Sequence, residues 1–135
     1  MEALQYNGPV EFMRPIAEAW KAETQGDDLG IEIVTDRFME TLHELANSPD
    51  SCLILLGNEG RAVGFMGGVL FDSPVEYKTA VQDRYWFVLP KHRGEGPMKL
   101  KAALTEWATE RGASYLMMSA SKLASGRHDG VCKIY

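Results

Sequence analysis

The residue pattern predicts an α+β domain built on a mixed sheet. Three observations carry this. Apolar residues recur at helical spacing in three stretches, near residues 13–20, 38–46 and 100–108. Apolar runs rich in β-branched and aromatic residues stand beside them, near 52–56, 61–71, 79–89 and 115–120. The third of these runs ends in Pro90 and passes through two glycines into a helix start at Pro97. With 135 residues the chain suits one domain, 1–135, around one core. Its 45% hydrophobic and 24% charged residues argue against disorder.

The elements follow in order. A weak strand fits Ala3 to Tyr6, and Asn7-Gly8-Pro9 is a turn. Met13, Ile16, Ala17 and Trp20 share one helix face, with Pro15 in its first turn or kinking it. Residues 25–30 read as a loop. Thr35 can cap a second helix carrying Phe38, Leu42, Leu45 and Ala46. Cys52 to Leu56 is a strand, and Gly57-Asn58-Glu59-Gly60 is the hairpin turn into the next, Arg61 to Phe71. Glycines 64, 67 and 68 inside that strand suggest a bulge or a close approach by another backbone. Thr79 to Leu89 is a longer strand. Leu100, Ala103, Leu104, Trp107 and Ala108 give the strongest helix, which Gly112 stops. Tyr115 to Ala120 is a buried-type strand, and 121–130 is polar loop. Val131 to Tyr135 reads as the start of a further helix.

Charge and composition exclude several function classes. Residues 1–50 hold 11 acids and 3 bases, and residues 51–135 hold 8 acids and 11 bases. So acidic a first part makes nonspecific nucleic-acid binding a poor fit. The split suits two ligands of opposite sign, although solvated helix faces explain it equally well. No apolar run is long enough to span a bilayer, and no signal peptide opens the chain, so the expected location is cytoplasmic with no membrane partner. Cys52 and Cys132 make no disulfide framework and read as buried free thiols. No Cys/His spacing suggests a metal site.

The chemistry concentrates at residues 88–99. A strand that ends in a glycine turn at a helix N-terminus presents free N–H groups and the positive end of the helix dipole. Lys91, Arg93, Lys99 and Lys101 surround it, which suits a phosphate or diphosphate. His92 reads as a surface residue of the turn, and His43 and His128-Asp129 as peripheral. There is no Gly-x-x-x-x-Gly-Lys-Ser/Thr loop and no Gly-x-Gly-x-x-Gly spacing, which disfavours other nucleotide-binding folds.

The stretch Val88-x-Pro90-x-x-Arg93-Gly94-x-Gly96 resembles the acetyl-CoA signature of the GCN5-related N-acetyltransferase (GNAT) superfamily, Gln/Arg-x-x-Gly-x-Gly/Ala. Arg93 and Gly96 match the first and fourth positions, while the sixth is Met98 rather than a small residue. The element order matches from about residue 9 onward. The resemblance implies the acyl-CoA N-acyltransferase fold: a mostly antiparallel central sheet with helices on both faces. It also implies two further strands after Tyr135, so the chain reads as stopping before its closing hairpin.

What the resemblance implies for the site can be placed by residue. Trp86, Phe87 and Val88 end the splayed strand whose backbone pairs with the pantetheine arm. Backbone amides across Arg93, Gly94, Glu95, Gly96, Pro97, Met98 and Lys99 hold the diphosphate, although Pro97 offers no N–H. The activity implied is acetyl transfer from acetyl-CoA, as co-substrate, to a primary amine in a ternary complex. Such a reaction needs a base for the ammonium, a donor for the carbonyl oxygen and an acid for the leaving thiolate. Asp83 is the first candidate base and Glu76 the second. The Val88 N–H is the candidate donor. Tyr135, at the family's helix start near the sulfur, is the candidate acid. Cys132 has no activating base and is not expected to be a nucleophile. Glu23, Asp27 and Asp28 suggest a cationic acceptor such as a polyamine, an aminoglycoside, a lysine side chain or a protein N-terminus. A homodimer is left open. The alternative is a catalytically silent protein of the same fold that binds CoA or a protein partner.

Overall fold

The structure is a computed structural model that describes residues 1–24 and 31–118, and the backbone of 131–133. Strand β1 spans Glu2–Tyr6. A 3-10 turn, Glu11–Met13, leads into helix α1, Arg14–Thr24, and helix α2 is Thr35–Asn47. Strands β2 (Ser51–Asn58), β3 (Arg61–Asp72) and β4 (Thr79–Val88) follow. A second 3-10 turn, Pro90–His92, precedes helix α3, Gly96–Glu110. Strands β5 (Tyr115–Met117) and β6 (Val131–Lys133) complete the described chain. The six strands form one sheet in chain order. Every pairing is antiparallel except the parallel pair β4–β5.

Apolar side chains leave the central strands on both faces, which is why 52–56 reads as an unbroken hydrophobic run. Cys52, Ile54 and Leu56 pack with Met66, Val81, Trp86, Leu100, Leu104 and Trp107 beneath α3. Leu53, Phe65 and Phe87 pack with Met13, Ile16, Phe38, Leu42 and Leu45 beneath α1 and α2. The glycines of β3 admit these helices at close range. A Cβ on Gly67 would stand 2.8 Å from Leu45 of α2, and one on Gly68 2.5 Å from Leu104 of α3. The β2–β3 turn is closed by Glu59 and Gly60, both at positive φ (52° and 77°), the backbone that a two-residue hairpin requires.

Several expectations from the residues are met. Pro15 lies in the first turn of α1. Gly112, at φ 75°, ends α3. Two expectations are corrected. Thr35 is the first helical residue of α2 rather than its cap; Val34 holds the cap position, with no side-chain cap bond. Residues 131–133 form a strand and not a helix start, pairing with Tyr115–Met117. The unpaired edge of β5 offers the backbone of these residues partners that outweigh their apolar pattern.

Cys52 is 1% exposed on the α3 face. Burial pushes its thiol up to about 12, against a smaller opposing effect from the Gly68 backbone. Because the folded value lies above the unfolded one, the associated stability is complete below about 9 and is lost as pH rises from there through about 12. In a Cys132→Ser background, a thiol reagent at pH 8 should leave the native protein unlabelled and react with one thiol in denaturant. Fast native labelling would show that β2 opens locally.

Candidate functional site

The site begins with an irregularity in β4. Phe65 pairs with Phe87 and Gly67 with Arg84, so Tyr85 and Trp86 together oppose the single residue Met66. This is a β-bulge, and Tyr85 takes it at φ 57°. A left-handed tyrosine is uncommon and costs of order 1–3 kcal/mol, which its surroundings must offset. Tyr85 lies edge-on to Trp20 at 5.6 Å and to Phe38 at 5.0 Å, and those two rings stack at 4.1 Å. Trp86 is buried under α3 while Tyr85 is 37% exposed, so of this neighbouring pair one is core and the other lines the surface.

The bulge lies beyond the end of the parallel pairing. β5 pairs with Ala80, Val81 and Gln82 only. From Asp83 to Val88, β4 continues with no strand on that side among the described residues. The direction of its groups follows from the ladder. Leu89 N–H donates to Val63 O at 2.9 Å, so Leu89–Val63 is a bonded pair and Val88–Gly64 a non-bonded one. The N–H and C=O of Val88 therefore point away from β3, to the open edge.

That edge runs into the start of α3. Glu95 holds the N-cap position with no side-chain bond, and no acid lies in the first turn. Among the described residues the first amide that closes onto a helical carbonyl is Lys99 N–H, to Glu95 O at 3.3 Å. The amides of Gly96 and Met98 are thus the orphan donors that a helix start leaves. Gly94 is open on its side-chain side, with no atom within 4 Å of a Cβ placed there. Glu95, Met98 and Lys99 are exposed, while Gly96 and Pro97 are buried. Gly96 faces inward: a Cβ there would stand 2.7 Å from Leu56 and 3.0 Å from Val88.

Arg93 does not point outward with the other basic residues. Its Nε donates to Val88 O at 2.8 Å, its second terminal nitrogen pairs with Glu23 at 2.8 Å, and its guanidinium lies 5.8 Å from the Phe87 ring centre. Lys91 and Lys99 remain at the surface beside the helix start, and His92 is half-buried.

Asp83 is 4% exposed. It stands opposite Gly68, one residue past the last β4–β5 pair, and accepts a bond from Gln82 Nε2 at 2.9 Å. Gln82 also donates to Met117 O at 3.2 Å, tying the carboxylate to the point where the two strands part. Glu76 stands before Thr79, at the opposite end of β4, and is not brought to this region. Tyr135, Asp27, Asp28 and His128-Asp129 lie outside the described residues, as does the side chain of Cys132. The bulge falls opposite Met66, among the glycines that suggested one, although they do not show that Tyr85 carries it; the Glu23–Arg93 pair, 70 residues apart in sequence, carries no local sequence signal.

Among the described residues no helix is long and apolar enough to cross a membrane, and no cluster of His, Cys, Asp and Glu could hold a metal ion.

Comparison with known proteins agrees with this geometry. No curated protein matches the chain in sequence. Solved structures do match in fold. A ribosomal-protein-alanine N-acetyltransferase from Brucella melitensis biovar Abortus 2308 superposes with TM-score 0.68 at 21% identity, over 91% of this chain and 83% of that one. A predicted acetyltransferase from Clostridium acetobutylicum, solved with acetyl-CoA, gives 0.69 at 14% identity, over 90% and 83%. An aminoglycoside acetyltransferase from an uncultured soil metagenomic sample, solved with sisomicin, gives 0.65 at 17% identity, over 90% and 78%. The model of the acetyltransferase (GNAT) family matches residues 14–125. With most of its length matched and the splayed strand and helix start in place, the chain belongs to the GNAT acetyltransferase family.

Proposed function

We propose that this chain is an N-acetyltransferase that moves the acetyl group of acetyl-CoA to a primary amine by direct attack in a ternary complex. The observation that carries this is the six-residue end of β4, Asp83–Val88, which leaves β5 after Gln82 and runs into the uncapped start of α3. An extended arm bearing amides can add to such an edge as a strand would. A diphosphate suits the amides of Gly94, Glu95, Gly96 and Met98, with Lys91 and Lys99 alongside.

The length of the arm assigns the remaining roles. Between diphosphate and sulfur it equals about four residues of extended backbone, roughly 13 Å. Counted back from Val88, it ends beside Asp83–Tyr85. The thioester then lies at the bulge, and the Val88 N–H holds the arm near the diphosphate instead of polarising the acyl carbonyl. Asp83, ordered by Gln82, accepts the ammonium proton so that the neutral amine can attack. Tyr135, by family resemblance, returns a proton to the departing thiolate. Glu23 is already paired with Arg93, so attraction of a cationic acceptor rests on Asp27 and Asp28. A relative solved with sisomicin is in keeping with an amine of this kind.

The test is a thiol-release assay with acetyl-CoA across a panel of amines, beside a thermal melt. Acetyl-CoA should raise the melting temperature by mass action, and at least one amine should release thiol. No thermal shift at millimolar acetyl-CoA overturns the proposal. A shift without thiol release from any amine supports the silent, CoA-binding alternative.

The Val88 assignment has its own check. Val88→Pro removes an N–H that serves no ladder bond, as edge positions tolerate. Acetyl-CoA affinity measured by calorimetry should fall about fivefold, the worth of one hydrogen bond of roughly 1 kcal/mol. Val88→Ala keeps the N–H and should keep the affinity. Equal affinities for the two variants would place the arm elsewhere.

A further inference from the structure

Arg93 holds three partners from two distant elements, the end of β4 and the last turn of α1. The Val88 carbonyl belongs to the open edge of β4, Glu23 to the last turn of α1, and the Phe87 ring to the core beneath α1 and α2. Its planar fork suits it to bond two acceptors at once. Both members of the ion pair are partly shielded, with side chains 26% and 33% exposed, which limits screening by solvent. The guanidinium is therefore spent within the protein. It ties the segment that leads out of α1 to the strand edge along which the arm would lie. It also occupies the Val88 carbonyl, so that only the N–H of that residue is presented at the edge.

Resting on the proposed function, we infer that Arg93 and Glu23 form a positioning clamp rather than a phosphate site. Arg93 sets the Val88 peptide, and Glu23 sets Arg93 and fixes the end of α1 against β4. The last turn of α1 is thereby held in register with the thioester. The diphosphate is bound by backbone amides and the exposed lysines, without the Arg93 side chain.

The two readings of Arg93 predict different affinities. If the guanidinium swings out to the diphosphate when ligand binds, Glu23 competes with that ligand. Glu23→Gln would then tighten acetyl-CoA binding, Arg93→Gln would weaken it strongly, and Arg93→Lys would keep it. The clamp predicts instead that all three variants bind acetyl-CoA within about twofold of wild type in calorimetry. Their kcat should fall by about tenfold to a hundredfold, as misplacement of about 1 Å can cause, and KM for the amine should rise. Arg93→Lys should resemble Arg93→Gln, because a point charge cannot hold two acceptors as a fork does. Tighter binding by Glu23→Gln, or a selective affinity loss in Arg93→Gln, overturns the clamp while leaving the transferase reading intact. Amide exchange of the ligand-free protein separates the other case. Faster exchange at Leu89, whose N–H bonds Val63 O next to the Val88 peptide, in both Glu23→Gln and Arg93→Gln, with no acetyl-CoA binding by wild type, retains the clamp as a structural device and removes the transferase reading. Unchanged exchange in both variants overturns the clamp outright.

Discussion

Asp83→Asn is expected to lower kcat by about a hundredfold, the usual contribution of a positioned proton acceptor, while acetyl-CoA affinity and thermal stability stay near wild type. The substitution is isosteric, and an amide oxygen can still accept the Gln82 Nε2 bond now made at 2.9 Å. Fold and strand separation are therefore kept while proton affinity is removed. The position is what makes the residue a candidate base. Asp83 is the first residue of β4 past its last β5 partner, it is shielded from bulk water, and the arm length brings the thioester to it. The rate profile should lose its low-pH limb in the variant, because that limb reports protonation of the base. An unchanged kcat with a lowered melting temperature would reassign Asp83 to the support of Gln82 and leave the proton to water.

Gly96→Val should be the most disruptive single change at the helix start. A Cβ at this position would stand 2.7 Å from Leu56 Cδ2 and 3.0 Å from Val88 Cγ1, and Val88 is fully buried. Leu56 can rotate a methyl group away. Val88 is β-branched, sits on the strand edge and has little room. Overpacking of this kind costs typically 1–3 kcal/mol, visible as a lower denaturation midpoint at unchanged slope. The first turn of α3 is pushed off the sheet, which carries its free amides away from the end of β4, so acetyl-CoA binding should be lost as well. The sequence pattern alone attributes such a loss to crowding of the phosphates. The structure attributes it to crowding of Leu56 and Val88, because Gly96 faces the sheet. Gly94→Ala separates the two explanations. Nothing lies within 4 Å of a Cβ there, so stability should hold. Loss of affinity in Gly94→Ala at unchanged stability would show that the ligand lies against the outer side of the loop.

How much of this was legible in the residues differs by element. Helix α3 follows from Leu100, Leu104 and Trp107, because a helix that covers one sheet face must repeat its apolar residues every turn. The glycines of β3 suggested a bulge or a close backbone approach; the register does bulge between Phe65 and Gly67, while Gly67 and Gly68 also meet the side chains of Leu45 and Leu104. The strand, the turn and the helix start across 88–99 were readable because the signals that set them, a β-rich run, glycines and a proline at the helix start, are local. The strand at Val131–Lys133 was misread, since its conformation is set by the β5 edge it pairs with, which no neighbour in sequence reveals.

By itself, then, the sequence determined the α+β class, the order of the main elements, the GNAT signature and the place of the helix start, all of which depend on neighbours a few residues apart. The tertiary structure alone decided that Arg93 turns back to Val88 and Glu23, that Gly96 faces the sheet, and that the register slips at Tyr85, past the last β5 partner of β4. These features arise from packing between residues far apart in the chain, where residue type leaves several arrangements open and only the assembled core selects one.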